Sequence, residues 1–141
     1  MAYCTTADLV AEFGEPALVQ LTDIDEPAAG AVVTARADAA IARASDEADG
    51  YLGTRYAVPL DAAPLQLQGV VRDLAYFYLH RLGAPEQVVA AADRARAWLR
   101  DVAAARVSLA GAAPAAAAPT AGLAEIASAE RLFSRGARAG L

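Results

Sequence analysis

PLQLQGVVRDLAYFYL, residues 64 to 79, decides the fold. Leu67, Val70, Val71, Leu74, Phe77 and Tyr78 follow one another at spacings of 3, 1, 3, 3 and 1, which winds them onto one face of an α-helix. Pro64 suits the first turn, where a missing N–H does no harm. Gly83 is the expected stop. Gly69 weakens such a helix by up to ~1 kcal/mol relative to alanine, so a close neighbour is expected against it.

Helical patterns lie on both sides of this stretch. Upstream, Val33, Ala37, Ile41, Ala44, Ala48 and Leu52 recur at spacings of three or four and predict a long helix over 31–52. Its many alanines favour the helix and let a neighbour approach closely. Downstream, Pro85 and Glu86 open a helix whose stripe is Val88, Ala92, Ala95, Leu99 and Val102, closing near Ala104. At the start, Thr5 with Asp8 three residues on reads as a capping box. It opens a short helix with Leu9, Val10 and Phe13 on its apolar face, and Gly14 ends it. Pro16 begins a further turn anchored by Leu18, Val19 and Leu21. The expected fold is all-α, a small bundle of four to five helices over residues 1–109.

After Leu109 the composition changes. GAAPAAAAPTAG has two prolines and no bulky side chain. It buries too little to offset its ordering entropy, and 110–122 reads as a linker. Residues 123–141 regain Leu123, Ile126, Leu132 and Phe133 with three arginines, which suggests a partner-binding arm on that flexible linker.

The 141 residues suit one compact domain. They are 57% hydrophobic, but alanine supplies roughly half of that, leaving bulky residues for one modest core. A secretory signal is not expected at the N-terminus, and no run is long and apolar enough to span a membrane. The net charge of −5 argues against nonspecific nucleic-acid binding, which needs cations to displace the counterions of phosphate. All the basic residues are arginine, as a GC-rich genome favours. Cys4 is alone and reads as a small half-buried hydrophobe, with no intrachain disulfide open to it.

Little of the sequence carries reactive chemistry. His80 is the single histidine, placed near a helix C-terminus where it is electrostatically favourable. Asp23, Asp25 and Glu26 lack the spaced oxygens and turn glycine of a calcium loop, and read as a solvated acidic loop. No catalytic, metal or cofactor site is expected, and no HExxH, GxSxG, Walker or GxGxxG pattern occurs. The densest constellation is DGYLGTRYAVPL, Asp49 to Leu60, between the two longest stripes. Gly53 is expected to cap the preceding helix in a left-handed conformation, and Val58 before Pro59 is pushed to extended geometry. Tyr51, Leu52, Tyr56 and Leu60 would clamp a structural corner onto the core. Arg55 needs an acid if half-buried, and Asp73 on the next helix is the candidate.

Asp49-Gly50-Tyr51-Leu52, Arg55-Tyr56 and Pro59-Leu60 resemble the DGYL-x-x-RY-x-x-PL pattern of the Mu-like phage and prophage head–tail connector (neck adaptor) family. Tyr3, Thr5, Asp8 and Leu9 match its Tyr-x-Thr-x-x-Asp-Leu opening, and Leu21-Thr22-Asp23 its next short motif. Arg72 to Leu79 is similar to its central helix. Ala97 to Ala103 with Val107-Ser108-Leu109 is similar to its last helix and exit, and Leu132-Phe133-Ser134-Arg135 to its terminal element. The motifs keep their order over nearly the whole chain. There are departures: Ala105 replaces a glycine and Arg106 stands where a Gly-Lys pair is common, while Gly136 and Leu141 stand where an acid and an aromatic are usual.

The resemblance implies a virion structural protein, not an enzyme. It implies a ring of this chain, of twelve subunits, beneath the portal protein and joined to a tail or stopper protein. DNA would pass through the lumen without specific binding, no membrane would be involved, and assembly would take place in the bacterial host cytoplasm. A phage and a prophage-derived gene-transfer agent are both open. Two other readings stand beside it. A non-viral helical interaction module would show the same amphipathic helices. An enzyme would need Asp49, Arg55 and Asp73 to converge around an open pocket.

Overall fold

The computed structural model describes residues 2–116 as five helices with no strand beyond one isolated bridge, the expected all-α domain. They are α1 (Thr6–Phe13), α2 (Glu15–Thr22), α3 (Thr34–Leu52), α4 (Leu65–Leu79) and α5 (Glu86–Ala103). The expected arm, with Leu132, Phe133, Ser134 and Arg135, lies outside the described residues. Among those described, no helix is long and apolar enough to cross a membrane.

α3, α4 and α5 pack on one another as the centre of the fold, and α1 and α2 lie across α3, with α1 also touching α4. The predicted stripe of α5 is its buried face, residue for residue: Val88, Ala92, Ala95, Leu99 and Val102. On α4 the buried set is Leu67, Val71, Leu74, Ala75 and Leu79, with Val70, Phe77 and Tyr78 half-buried beside it. On α3, Ala40 and Ser45 join the expected positions, because this helix is covered by neighbours on more than one side. Alanines at 37, 40, 44 and 48 bury little area each, but they let α3 sit close to its neighbours. Gly69 is not a close-packing position: an added methyl group would meet only the Arg72 guanidinium, 3.6 Å away.

The ends of the helices follow local chemistry. Thr5 and Asp8 form the full capping box, and the Thr5 hydroxyl and amide hold the Asp8 carboxyl below its ordinary value. Gly14, at φ +86°, ends α1 and starts α2. α3 begins at Thr34, three residues later than the periodicity predicts. The Val33 N–H is held instead by the Thr22 hydroxyl at 3.0 Å, and the Arg36 guanidinium donates to the Thr22 carbonyl at 2.6 Å. α4 ends at Leu79, four residues before Gly83, where the half-buried His80 turns back and its Nδ1 lies 2.8 Å from the Tyr76 carbonyl oxygen it donates to. Gly83, at φ +114°, serves the following turn.

The acidic loop is bound into the fold. Asp23 accepts the N–H groups of Ala29 and Gly30, and both carboxylate oxygens of Asp25 accept from Nη2 of Arg36. Cys4 is buried rather than half-buried, and burial pushes its thiol up to about 11. It is protonated at neutral pH.

Candidate functional site

The motif between α3 and α4 folds as a corner that ties three distant parts of the chain together. Its first element is the N-terminal tyrosine. Tyr3 is buried, its N–H donates to the Ser45 hydroxyl at 3.2 Å, and its phenol donates to Asp49, one helical turn further along α3. The same phenolic oxygen accepts the Leu60 N–H at 3.0 Å. Burial, and then the hydrogen bond to Asp49, push the Tyr3 phenol up to about 12.

The second element is the end of α3. Leu52 is fully buried, while Tyr51 is half-buried against the core and its carbonyl accepts the Thr54 hydroxyl at 2.9 Å. Gly53 is right-handed, at φ −59° and ψ −15°, not left-handed as its sequence position suggests. The chain makes a further right-handed turn, in which Arg55 and Tyr56 both donate their N–H groups to the Leu52 carbonyl at 2.9 Å. Glycine is not demanded there by handedness.

The third element is the exit from α5. Arg55 does not pair with Asp73. Its Nη1 donates to the carbonyls of Val102 at 2.9 Å and Val107 at 3.1 Å, and its guanidinium lies over the Tyr56 ring. The physical reason is supply: in the turn after α5 the Val102 carbonyl has only the short-range Ala105 N–H, at 3.1 Å, and it and the Val107 carbonyl can take a further donor, which an arginine supplies as well as it would meet an acid. Asp73 lies elsewhere, half-buried in a groove with Phe13, Tyr76 and Val88. Burial, and then the charge of Glu12, raise its carboxyl above the ordinary value. The convergence of Asp49, Arg55 and Asp73 on an open pocket is therefore not formed.

Tyr56 completes the clamp. It is buried, and its hydroxyl accepts the Leu109 N–H at 3.0 Å. The chain beyond Leu109 then returns along the corner. Ala57 donates to the Ala113 carbonyl at 3.0 Å, Ala115 donates to the Arg55 carbonyl at 2.8 Å, and Tyr56 and Pro114 form an antiparallel bridge. The sequence puts 113–115 in a linker; the structure fastens them to the corner. Their side chains carry no signal for this, because backbone groups do the pairing. Pro59 stays exposed, and Leu60 is buried.

Between Arg55's two carbonyls runs a tight turn with Ala105 at φ +63°. Arg106 and Val107 donate back to the Asp101 carbonyl at 2.9 and 3.3 Å. A Cβ in this left-handed region costs about 1–2 kcal/mol, which glycine avoids. After the larger unfolded-state entropy of glycine is offset, Ala105→Gly is expected to stabilise the domain by about 1 kcal/mol. A denaturant titration checks this; an unchanged or lower midpoint would contradict it.

A second polar cluster joins the three central helices. Arg96 on α5 donates its Nε to Glu47 on α3 at 2.7 Å, the Tyr78 hydroxyl on α4 donates to the same carboxylate, and Arg43 lies 4.1 Å from the centre of the Tyr78 ring. Burial pushes Glu47 up, but the bonds from Arg96 and Tyr78 and the two guanidinium charges outweigh it and hold its carboxyl below the ordinary range. The sequence gives no hint of this network, whose members are 31 and 49 residues apart.

These polar groups hold the helices, the N-terminal segment and the exit from α5 together through hydrogen bonds to one another and to backbone. Among the described residues, no three side chains of His, Cys, Asp or Glu come together as metal ligands. What the corner can do is set the direction in which the chain leaves the domain after α5.

Two comparisons bear on what that serves. The family described as "Bacteriophage Mu, Gp36" matches residues 3–128 of the chain. "Gene product J" of Escherichia phage Mu is 35% identical over 102 residues, covering 72% of this chain and 72% of that protein.

Proposed function

The chain belongs to the bacteriophage Mu Gp36 family, and we propose that within it the chain is a non-enzymatic virion protein, a head–tail connector. In this reading, copies form a ring of twelve between the portal protein and a tail or stopper protein, and DNA passes through the lumen. The particle belongs to a phage, a prophage or a gene-transfer agent, and the ring sits in its neck after assembly in the host cytoplasm.

The observation that carries the reading is the corner. The motif residues Asp49, Leu52, Arg55, Tyr56 and Leu60 are joined to Tyr3 and to the exit after α5, and none of them is left over for a small-molecule site. Such a corner gives every copy the same chain direction at 113–115. Repetition of one geometry around a ring is what a multivalent joint needs, since each added contact then benefits from the effective concentration set by the others. The net charge of −5 suits a lumen through which DNA slides, because few cations are available to hold phosphates.

The test is truncation in the particle-producing host. A chain ending at Ala116 keeps the pairing of 113–115 with the corner, and is expected to fold with the stability of the full chain. It is also expected to leave filled heads without tails. Tailed, DNA-delivering particles made with the truncated chain as sole source would overturn the role given to residues 117–141.

A further inference from the structure

Apart from Val89, the large hydrophobic side chains left exposed among the described residues lie at the two ends of the bundle. At the end away from the corner, Ile24 and the fully exposed Leu82 edge an open groove of about 390 Å³, with Leu21 and Leu79 beneath them. An adjoining hollow shares Leu21, Leu79 and Arg81 with it and continues past Arg43. At the corner end, Leu65 is 82% exposed at the first position of α4, and Val58 and Pro59 are exposed in the loop before it. That loop is firmly mounted. The Ala57 N–H is held by the Ala113 carbonyl, and the Leu60 N–H by the Tyr3 phenol. Apolar side chains on a fixed backbone lose little freedom when a partner covers them.

Charge distinguishes the two ends. No acid lines the groove or its adjoining hollow, although the chain as a whole carries a net charge of −5. At the corner end, an acid, Asp61, stands between Val58 and Leu65 in the sequence. Arg81 and Asp61 are both exposed, and neither forms an ion pair among the described residues. The length of α4, ~21 Å, separates the ends, so a chain cannot bring its own corner to its own groove.

We propose that the groove takes the corner end of a second copy of this chain, with Val58 and Leu65 on its apolar floor and Asp61 facing Arg81. The contact is head to tail, because the two surfaces differ and lie at opposite ends of one molecule. Every copy then offers a free corner to the next, and such a series closes into a ring when the rotation per copy allows it. Like charges penalise the wrong pairings: groove on groove sets arginine against arginine, and corner on corner sets Asp61 against Asp61. The pairwise contact stands apart from the connector reading; its closure into the neck ring rests on that reading.

Disulfide trapping between two variants of the full chain tests the contact, since the native Cys4 is buried. Leu65→Cys and Leu82→Cys each replace an exposed side chain, so folding is expected to be kept. The two chains, distinguished by isotope label, are mixed in equal amounts in a glutathione redox buffer. The mixed disulfide is expected to exceed either symmetric one about tenfold. Arg81→Glu on the Leu82→Cys chain should lower that ratio about threefold, and Asp61→Arg on the other chain should restore it. Random pairing, an excess of a symmetric disulfide, or a ratio that charge reversal leaves unchanged would overturn the proposal. A chain that passes this test yet is absent from particles keeps the head-to-tail contact and loses the connector role.

Discussion

Replacing Arg55 by alanine is expected to destabilise the domain by about 2–3 kcal/mol, because the carbonyls of Val102 and Val107 lose a charged donor inside a half-buried turn. That is a large share of a stability of about 5–15 kcal/mol. The loss should be local before it is global. Amide exchange at Leu109 and 113–115 is expected to accelerate most, since Tyr56 and the Arg55 carbonyl hold those residues through the same corner. Arg55→Lys should recover part of the stability by keeping a cation near the two oxygens. Asp73→Asn should be neutral or mildly stabilising, because burial and Glu12 already disfavour the Asp73 charge. A loss of more than about 1 kcal/mol with Asp73→Asn, and none with Arg55→Ala, would reinstate the ion pair expected from the sequence. Denaturant midpoints for the three variants decide it.

Tyr3→Phe is expected to cost about 2–3 kcal/mol for a single oxygen atom. The Leu60 N–H loses its acceptor and Asp49 its donor, both at the corner. The pH profile carries the same information. With the phenol pushed up to about 12 in the folded chain against an ordinary value near 10, the folded state keeps a proton that the unfolded chain releases. The contribution of Tyr3 is therefore full below about pH 10 and is lost as pH rises toward 12. Thermal melts between pH 8 and 11 should show the native chain losing stability faster than Tyr3→Phe at the alkaline end. Parallel profiles would contradict the role given to this phenol.

What the sequence makes legible is periodic. The α5 stripe and the capping box at Thr5 and Asp8 depend on near neighbours, so spacing alone reveals them. The corner residues Tyr51, Leu52, Tyr56 and Leu60 are recognisable as a group because bulky residues between two helices have to pack. The partners are harder. Arg55 meets backbone carbonyls, and every residue has one, so nothing distinguishes those of Val102 and Val107 in the sequence. The same holds for Ala113 and Ala115, whose side chains look like linker while their backbone pairs with the corner. The Glu47–Tyr78–Arg96 cluster needs the relative rotation of three helices, which no single stripe supplies. Helix ends shift where a side chain captures a terminal group, as His80 does with the Tyr76 carbonyl and Thr22 with the Val33 N–H. The substitution at Ala105 is legible from the family pattern as a missing glycine, and the positive φ gives it a physical meaning.

The central claim is that this domain is a repeated structural part of a virion neck. Electron microscopy of purified particles, without imposed symmetry at the neck, tests it most directly. The account predicts the five-helix domain repeated around the channel between portal and tail, with the segment at 113–115 running in the same direction from each copy. Complete head–tail joints in particles from which this chain is absent would contradict it.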